Sequence, residues 1–327
     1  MEAPCVRVPR EEGEATRRDL ADADLLDETL EIETDEGWLY LPIEAPSELP
    51  EGYEVVTRDV TPRETQTLPS DLLSFQPSYE RLGEIAIVDE DDPDRARELA
   101  DAIVASDLPV ETVINRASKI KGETRVREWE VLAGEDTETV HREHGCEFLV
   151  DVARVYFSPR LATDRHLVAE AVRPGERAFD MFAGVGPYAI PFAERGADVV
   201  AVDVNDVAIE YLAANARRNG VEDRITAICG DVREIAPDYE GWADRIVMNL
   251  PHSADEFLDV AVALASEECV IHYYDIQSED DRYGPGEAAI RAAGDGYDVT
   301  IENRRTVRSY APREWNVRID ARLRRSD

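Results

Sequence analysis

From about Arg173 onward, short apolar runs alternate with helix-length segments, and no other feature of this chain limits its fold as strongly. Strands joined by helices run parallel, because a parallel pair needs a crossover longer than a tight turn, and the helices then bury both faces of the sheet. Strands are expected at Ala178 to Asp180, Asp198 to Asp203, Ile225 to Cys229, Arg245 to Met248 and Cys269 to Tyr274. Between them the pattern predicts a short helix ending at Arg195, a helix over Val207 to Asn219 stopped by Gly220, and a helix opened by a Ser253/Glu256 capping box and running to Leu264. The tail adds two extended runs, Val299 to Val307 and Asn316 to Leu323, separated by Ala311-Pro312 and expected to pair antiparallel at the sheet edge. The predicted class is α/β, with a Rossmann-like domain over residues 151–327.

The 327 residues leave room for more than that domain. Residues 76–150 read as a mixed α/β domain with a strand at Glu84 to Val88, a helix over Arg95 to Ala105 and a hairpin turn at His144-Gly145. Residues 1–72 read as a small module with one clear strand at Trp38 to Ile43, followed by a link over Leu68 to Pro77. Four cysteines, Cys5, Cys146, Cys229 and Cys269, lack paired spacing, so neither a disulfide framework nor a zinc site is expected, and their thiols are expected to be inert. No apolar run approaches the roughly 20 residues of a membrane helix, and the acidic N-terminus has no signal-peptide core, so a cytoplasmic chain away from membranes is expected.

Acidic residues outnumber basic ones 72 to 36, a net charge of −36 spread along the whole length. A magnitude of about 2 to 8 suits a small soluble domain. In molar salt the screening length shrinks to about 3 Å, and an acidic surface then costs little and stays hydrated. The composition resembles that of proteins from salt-loving archaea, and it argues only weakly against a nucleic-acid partner.

Gly184-Val185-Gly186, followed by Ala189, could serve a dinucleotide, and alone it is a weak signal. Its neighbours discriminate. Asp180, ending the first strand just before the loop, would repel a pyrophosphate but attract the ammonium of S-adenosylmethionine, which carries no phosphate. Asp203, ending the second strand, can accept from both ribose hydroxyls in either cofactor class. Asp231, after the third, can accept from an adenine amino group. The fourth strand ends in Asn249-Leu250-Pro251-His252, where an Asn-x-Pro resembles the substrate loop of amino-group methyltransferases.

Four segments then occur in order: Tyr156-Phe157-Ser158-Pro159-Arg160, Asp180-Met181-Phe182-Ala183-Gly184-Val185-Gly186-Pro187, Asn249-Leu250-Pro251, and Ser309-Tyr310-Ala311-Pro312-Arg313-Glu314. Together they closely resemble the archaeal tRNA (guanine-37-N1)-methyltransferases, most densely from about Arg125 to Glu314. The resemblance implies a class I methyltransferase domain, a preceding RNA-binding domain and a small N-terminal domain that inspects the folded core of tRNA. It implies methyl transfer from S-adenosylmethionine to N1 of the guanosine 3′ of the anticodon, which guards the reading frame. The implied cofactor contacts are Arg165, Asp180, Phe182, Gly184, Gly186, Asp203, Val204, Asp231, Val232 and Asn249. Tyr156 is expected to wall the site, Arg160 to order its loop, and Asn249 with Pro251 to hold the base.

Guanine N1 carries a proton at neutral pH, so a base must remove it as the methyl arrives, and negative charge then grows on O6. The family's base is a glutamate four residues after the arginine of Phe-Ser-Pro-Arg; here that position is Asp164, one methylene shorter, which acts directly or through a water. Arg125 is expected at O6, with Arg127 as alternate. Lys119, Lys121, Arg127, Arg308 and Arg313 are expected phosphate or RNA contacts, drawn from two basic islands, residues 113–127 and 304–325. A monomer is expected, since one chain carries both RNA-binding and catalytic parts. Other readings are an aminocarboxypropyl transferase or wyosine-intermediate methyltransferase acting at the same tRNA position, an RNA-binding protein without turnover, and a nicotinamide dehydrogenase.

Overall fold

The computed structural model describes residues 1–50, 52–63, 66–117 and 128–326. The chain divides into two compact units, Met1–Asp71 and Leu72–Asp327. The division falls within the expected link, where Pro69–Leu72 forms a short helix. Among the described residues no helix is long and apolar enough to cross a membrane.

In the first unit, strands β1 (Glu2–Pro9), β2 (Glu33–Asp35), β3 (Trp38–Pro42) and β4 (Glu54–Asp59) form an antiparallel sheet in the order β2-β3-β1-β4. Sequence pattern located β3 but missed β1, whose Pro4 and Pro9 weaken the strand signal although it pairs on both sides. A helix at Gly13–Asp22 sends Leu20 into the core of Val6, Val8, Leu25, Leu41 and Ile43.

The second unit opens with β5 (Tyr79–Leu82), β6 (Ile85–Val88), β7 (Thr112–Arg116) and β8 (Trp129–Ala133), ordered β5-β6-β7-β8. Parallel β6 and β7 are joined by the helix Pro93–Ala105. Its start is encoded locally: Asp92 caps the amides of Asp94 and Arg95, and Pro93 occupies the first turn. Next comes a hairpin of β9 (Glu138–Glu143) and β10 (Cys146–Asp151). Its two turn residues, His144 and Gly145, have φ of 48° and 92°, the left-handed pair that matches strand twist.

A seven-stranded sheet follows, from β11 (Arg177–Asp180), β12 (Asp198–Asp203), β13 (Ile225–Cys229), β14 (Ala243–Met248), β15 (Ala265–Ser278), β16 (Tyr297–Ala311) and β17 (Glu314–Arg325), ordered β13-β12-β11-β14-β15-β17-β16. The first five in that order are mutually parallel, and β17 and β16 add antiparallel. Successive residues serve opposite cores: Val199 and Ala201 face one, Val200 and Val202 the other. The expected tail pair is present, but β17 lies inside the sheet between β15 and β16. The expected capping box is absent: Ser253 makes no side-chain cap, and a 3-10 turn at Ala254–Phe257 precedes the helix Leu258–Leu264. The tight turn moves the helix start away from Ser253, so its hydroxyl has no N3 amide to meet. Cys5, Cys146 and Cys269 are buried, and burial raises their pKa; Cys229 is exposed.

Asn215, fully buried on the helix Asp206–Arg218, joins three elements. It accepts from the Leu149 amide at 2.7 Å and donates to the carbonyls of Leu149 and Val185, both at 3.1 Å. The hairpin and glycine loop are thus tied to one side chain. Asn215→Leu strands those groups in an apolar setting and is expected to cost about 1–3 kcal/mol, measurable as a shifted denaturation midpoint. A midpoint equal to wild type would mean that water or a neighbour satisfies them.

Candidate active site

Strand connections leave in opposite directions on either side of β11 and β14, and this reversal opens a crevice at the carboxyl ends of the strands. The backbone crosses it: Met181 N–H donates to Val247 of β14 at 3.1 Å, and Ala183 N–H to Val202 of β12 at 2.8 Å. The loop then turns through Gly184 and Gly186, with φ of 52° and 93°. At Gly186 a Cβ would also meet Ile190 at 3.0 Å, whereas the space at Gly184 is open apart from the Tyr156 carbonyl at 3.9 Å. Glycine at 184 therefore permits the turn and keeps the crevice clear.

Two carboxylates flank the loop. Asp203 accepts from the amides of Gly184 at 2.7 Å and Asn205 at 2.9 Å; burial raises its pKa and these bonds offset part of the rise. Asp180 is fully buried, and among the described residues neither of its oxygens has a hydrogen-bond partner. Burial pushes its pKa up to about 7, Asp203 adds to the rise, and the amides of Phe182 and Ala189 soften it without reaching bonding geometry. A buried, unpartnered carboxylate beside a second acid is a site completed by a cation. The donor set suits an ammonium-bearing, phosphate-free cofactor. Asp231 accepts from the Arg233 amide and ion-pairs with its guanidinium, which lowers its pKa. Val204 is 47% exposed beside Asp203, Val232 is buried, and Phe182 packs edge-on against Phe257.

Next to this crevice a cleft brings together Tyr156, Asn249, Pro251, Arg308, Tyr310 and Asn316. The first four are residues the sequence singled out: Tyr156, Asn249 and Pro251 come from two of the motifs, and Arg308 from the basic island over residues 304–325. The Pro251 carbonyl, accepting from Ile276 N–H at 3.1 Å, holds the strand-four loop on β15. Asn316 and Tyr310 were not among the expected site residues.

Asp164 lies one strand step below the cleft, because its partners Arg318 and Arg305 are near neighbours of Asn316 and Arg308 on β17 and β16. It is 3% exposed. Its Oδ1 accepts from Arg318 at 2.7 Å and lies 3.0 Å from Arg305; its Oδ2 accepts from Tyr274 at 2.6 Å. Arg318 continues to Asp320 at 3.1 Å, Asp320 to His272 Nδ1 at 2.7 Å, and His272 Nε2 to Arg245 at 2.6 Å. Arginine only donates, so Nε2 is the acceptor and Nδ1 carries the proton that reaches Asp320. Burial lowers the pKa of His272; burial opposes the charge of Asp320, but His272, Arg318 and Asn303 outweigh it and lower its pKa.

Arg165 points its fork at Glu143, 2.8 and 2.6 Å away, and also donates to the Ser158 carbonyl at 3.1 Å. Arg160 pairs with Glu80 at 3.1 Å. The island over residues 304–325 is far less positive in space than in sequence. Arg304 pairs with Glu287, Arg305 with Asp164, Arg313 with Asp280, Arg318 with Asp164 and Asp320, Arg322 with Glu302 and Glu268, Arg324 with Glu268, and Arg325 with Glu267. Most of those acids lie outside the window, so a local charge count missed them. Arg308 has no ion pair among the described residues, and its Nε is buried without a partner. Lys119, Lys121, Arg125 and Arg127 lie outside the described residues.

Central parallel strands with a glycine crossing at the switch point, and an antiparallel pair whose last strand in sequence inserts beside the fifth, define a class I methyltransferase fold behind further N-terminal domains. Comparison with known proteins agrees. Residues 139–299 match the TRM5/TYW2 methyltransferase domain, residues 5–51 the tRNA methyltransferase 5 N-terminal domain, and residues 65–137 the TYW2 N-terminal domain. The tRNA (guanine(37)-N(1))-methyltransferase Trm5b of Pyrococcus abyssi is 42% identical over 332 residues, covering 97% of this chain and 98% of the relative. The solved complex of aTrm5 and tRNALeu superposes with a TM-score of 0.73 at 33% identity, covering 98% of this chain and 99% of that one. A tRNA(Phe) (4-demethylwyosine(37)-C(7)) aminocarboxypropyltransferase of Pyrococcus horikoshii is 34% identical over 283 residues, covering 84% of this chain and 99% of the relative. This chain belongs to the TRM5/TYW2 family of methyltransferases.

Proposed function

We propose that this chain transfers a methyl group from S-adenosylmethionine to N1 of guanosine 37 in tRNA, as a cytoplasmic monomer working in high salt. The observation that carries the reading is the meeting, at one sheet edge, of an unpartnered buried carboxylate, Asp180, with a cleft formed by Tyr156, Asn249, Pro251 and Arg308. Higher identity and coverage to the guanine-methylating relative than to the aminocarboxypropyl transferase support it.

When bound, the cofactor supplies an electrophilic methyl on its sulfonium. Asp180 attracts its ammonium, and Asp203 accepts from its ribose hydroxyls. Asp231 accepts from the adenine amino group after parting from Arg233, an exposed pair that is worth little. Val204, Val232 and Phe182 supply apolar contact, and Gly184 and Gly186 let the backbone approach. Arg165, held by Glu143, anchors the Tyr156–Arg160 loop through the Ser158 carbonyl. Asn249 and the Pro251 carbonyl hold the base edge-on, and Tyr156 walls it. Asp164 takes the N1 proton through a bridging water, the route its depth and short side chain favour, while Arg125 or Arg127 stabilises charge on O6. Arg308 is the described arginine of the tail still free to meet RNA; Lys119, Lys121 and Arg313 are proposed as phosphate contacts, Arg313 after leaving Asp280.

The test is transfer of labelled methyl to tRNA transcripts in molar potassium chloride, with and without guanosine 37. Incorporation that depends on guanosine 37 is expected. Labelling that ignores the substitution removes the position; label arriving from the aminocarboxypropyl portion replaces the reaction with that of the second relative.

A further inference from the structure

Arg160 is held from outside its own motif. Its Nε lies 3.1 Å from Oε2 of Glu80, on β5, and among the described residues it has no other ion pair. The same Oε2 accepts from Arg116 Nη2 at 2.9 Å, and Arg116 Nη1 donates to Asp89 at 2.6 Å. Arg116 is the last residue of β7, on the far side of β6 from Glu80, and belongs to the first basic island. One carboxylate thus joins an arginine of the β5-β6-β7-β8 sheet to the arginine of the Tyr156–Arg160 motif. The Glu80 side chain is 13% exposed and that of Arg116 17%, against 49% for Arg160. Salt screens a covered carboxylate less than it screens exposed pairs, so this clamp persists where surface pairs fade.

This inference rests on the methyl-transfer reading above. The motif loop carries Tyr156 to the cleft, and its Ser158 carbonyl is tied on one side by Arg165. Arg160 is the tether on the other side, and Glu80 is the group that holds it. A loop with a single tether can swing, and a displacement of about 1 Å at the reacting groups costs on the order of 100-fold in rate. We propose that Glu80 is a positioning residue for methyl transfer: it pins the Tyr156–Arg160 loop to the sheet whose β7 leads into the first basic island, so that RNA held by the island and the wall of the cleft keep one register. Its role is exerted through Arg160. As an anion it adds nothing to the attraction of phosphate.

Glu80→Gln keeps the shape of the side chain and removes its charge. Its kcat on tRNA is expected to fall about 10- to 100-fold, while KM for tRNA does not rise, because a negative charge beside the RNA path is gone. Arg160→Gln should lower kcat by a similar factor, and the double variant should fall no further than the worse single one, since both changes break one tether. Calorimetric titration with S-adenosylmethionine counts the folded sites, so kcat is expressed per competent enzyme. Hydrogen exchange supplies a readout that needs no turnover: the peptide spanning Tyr156 to Arg160 should exchange about 10-fold faster in Glu80→Gln than in wild type. Wild-type kcat in Glu80→Gln, losses that multiply in the double variant, or unchanged exchange in that peptide overturns the proposal. Wild type whose labelling ignores guanosine 37 removes the substrate reading instead, and the exchange result still decides the clamp.

Discussion

Arg318→Met is expected to cost about 3–5 kcal/mol, because breaking a buried charge pair leaves its partners charged in a low-dielectric interior. Arg318 and Asp164 are each 4% exposed at the side chain, so solvent does not screen the loss. The substitution takes the guanidinium from two carboxylates: Asp164 keeps Arg305 and Tyr274, and Asp320 keeps only His272 and Asn303. In a unit of this size each kcal/mol moves the melting temperature by about 2–4 °C, so a fall of roughly 6–20 °C is expected by scanning calorimetry. The loss should shrink in acid, where Asp320, no longer beside Arg318, takes up a proton more readily. Asp164→Asn keeps the shape and leaves Arg318 with Asp320, so its cost in stability should be smaller, about 1–3 kcal/mol. Its activity should nevertheless fall by about 10²- to 10⁴-fold, the usual share of a general base. Normal turnover by Asp164→Asn would reduce Asp164 to an anchor for Arg318.

Cofactor affinity is expected to tighten as pH rises toward 8, because Asp180, with a pKa near 7, must be ionised to attract an ammonium. Below about pH 7 the dependence approaches tenfold per pH unit, and above it the curve flattens. Calorimetry in buffers of different ionisation heat should show a proton released on binding near pH 6. Stability of the ligand-free chain runs the other way. Asp180 has a higher pKa folded than unfolded, so the folded state holds the extra proton. Its contribution is present at low pH and is lost as pH climbs from the unfolded carboxylate value through about 7. Asp180→Asn should therefore melt higher than wild type at pH 8, bind the cofactor more weakly, and show neither pH trend. A variant that melts lower, or that retains the pH dependence of binding, would place the titrating group elsewhere.

The parallel sheet was legible because its strands, the edge strand β13 apart, are buried on both faces and read as continuous apolar runs. The predicted bounds of β12 and β13 agree with the structure residue for residue. Glycines and aspartates at strand ends were legible for a related reason: a glycine with positive φ and a carboxylate next to it are local requirements of a crossing loop. The first unit was harder to read. Its central strand β1 carries two prolines, and its helix at Gly13–Asp22 is dominated by charge, so neither shows a clean period.

The tail shows where local reading fails. Asn316, Arg318 and Asp320 alternate with Val317, Ile319 and Ala321, the pattern of a half-solvated edge strand. In the fold β17 is interior, and the polar face is covered by Asp164, His272 and Arg245. Sequence alone determined the sheet, the glycine crossing and the acids at its strand ends, because each depends on neighbours within a few residues. Tertiary structure decided which charges survive. The partner of Arg318 lies 154 positions away along the chain, and only packing could turn a run of arginines into a buried network.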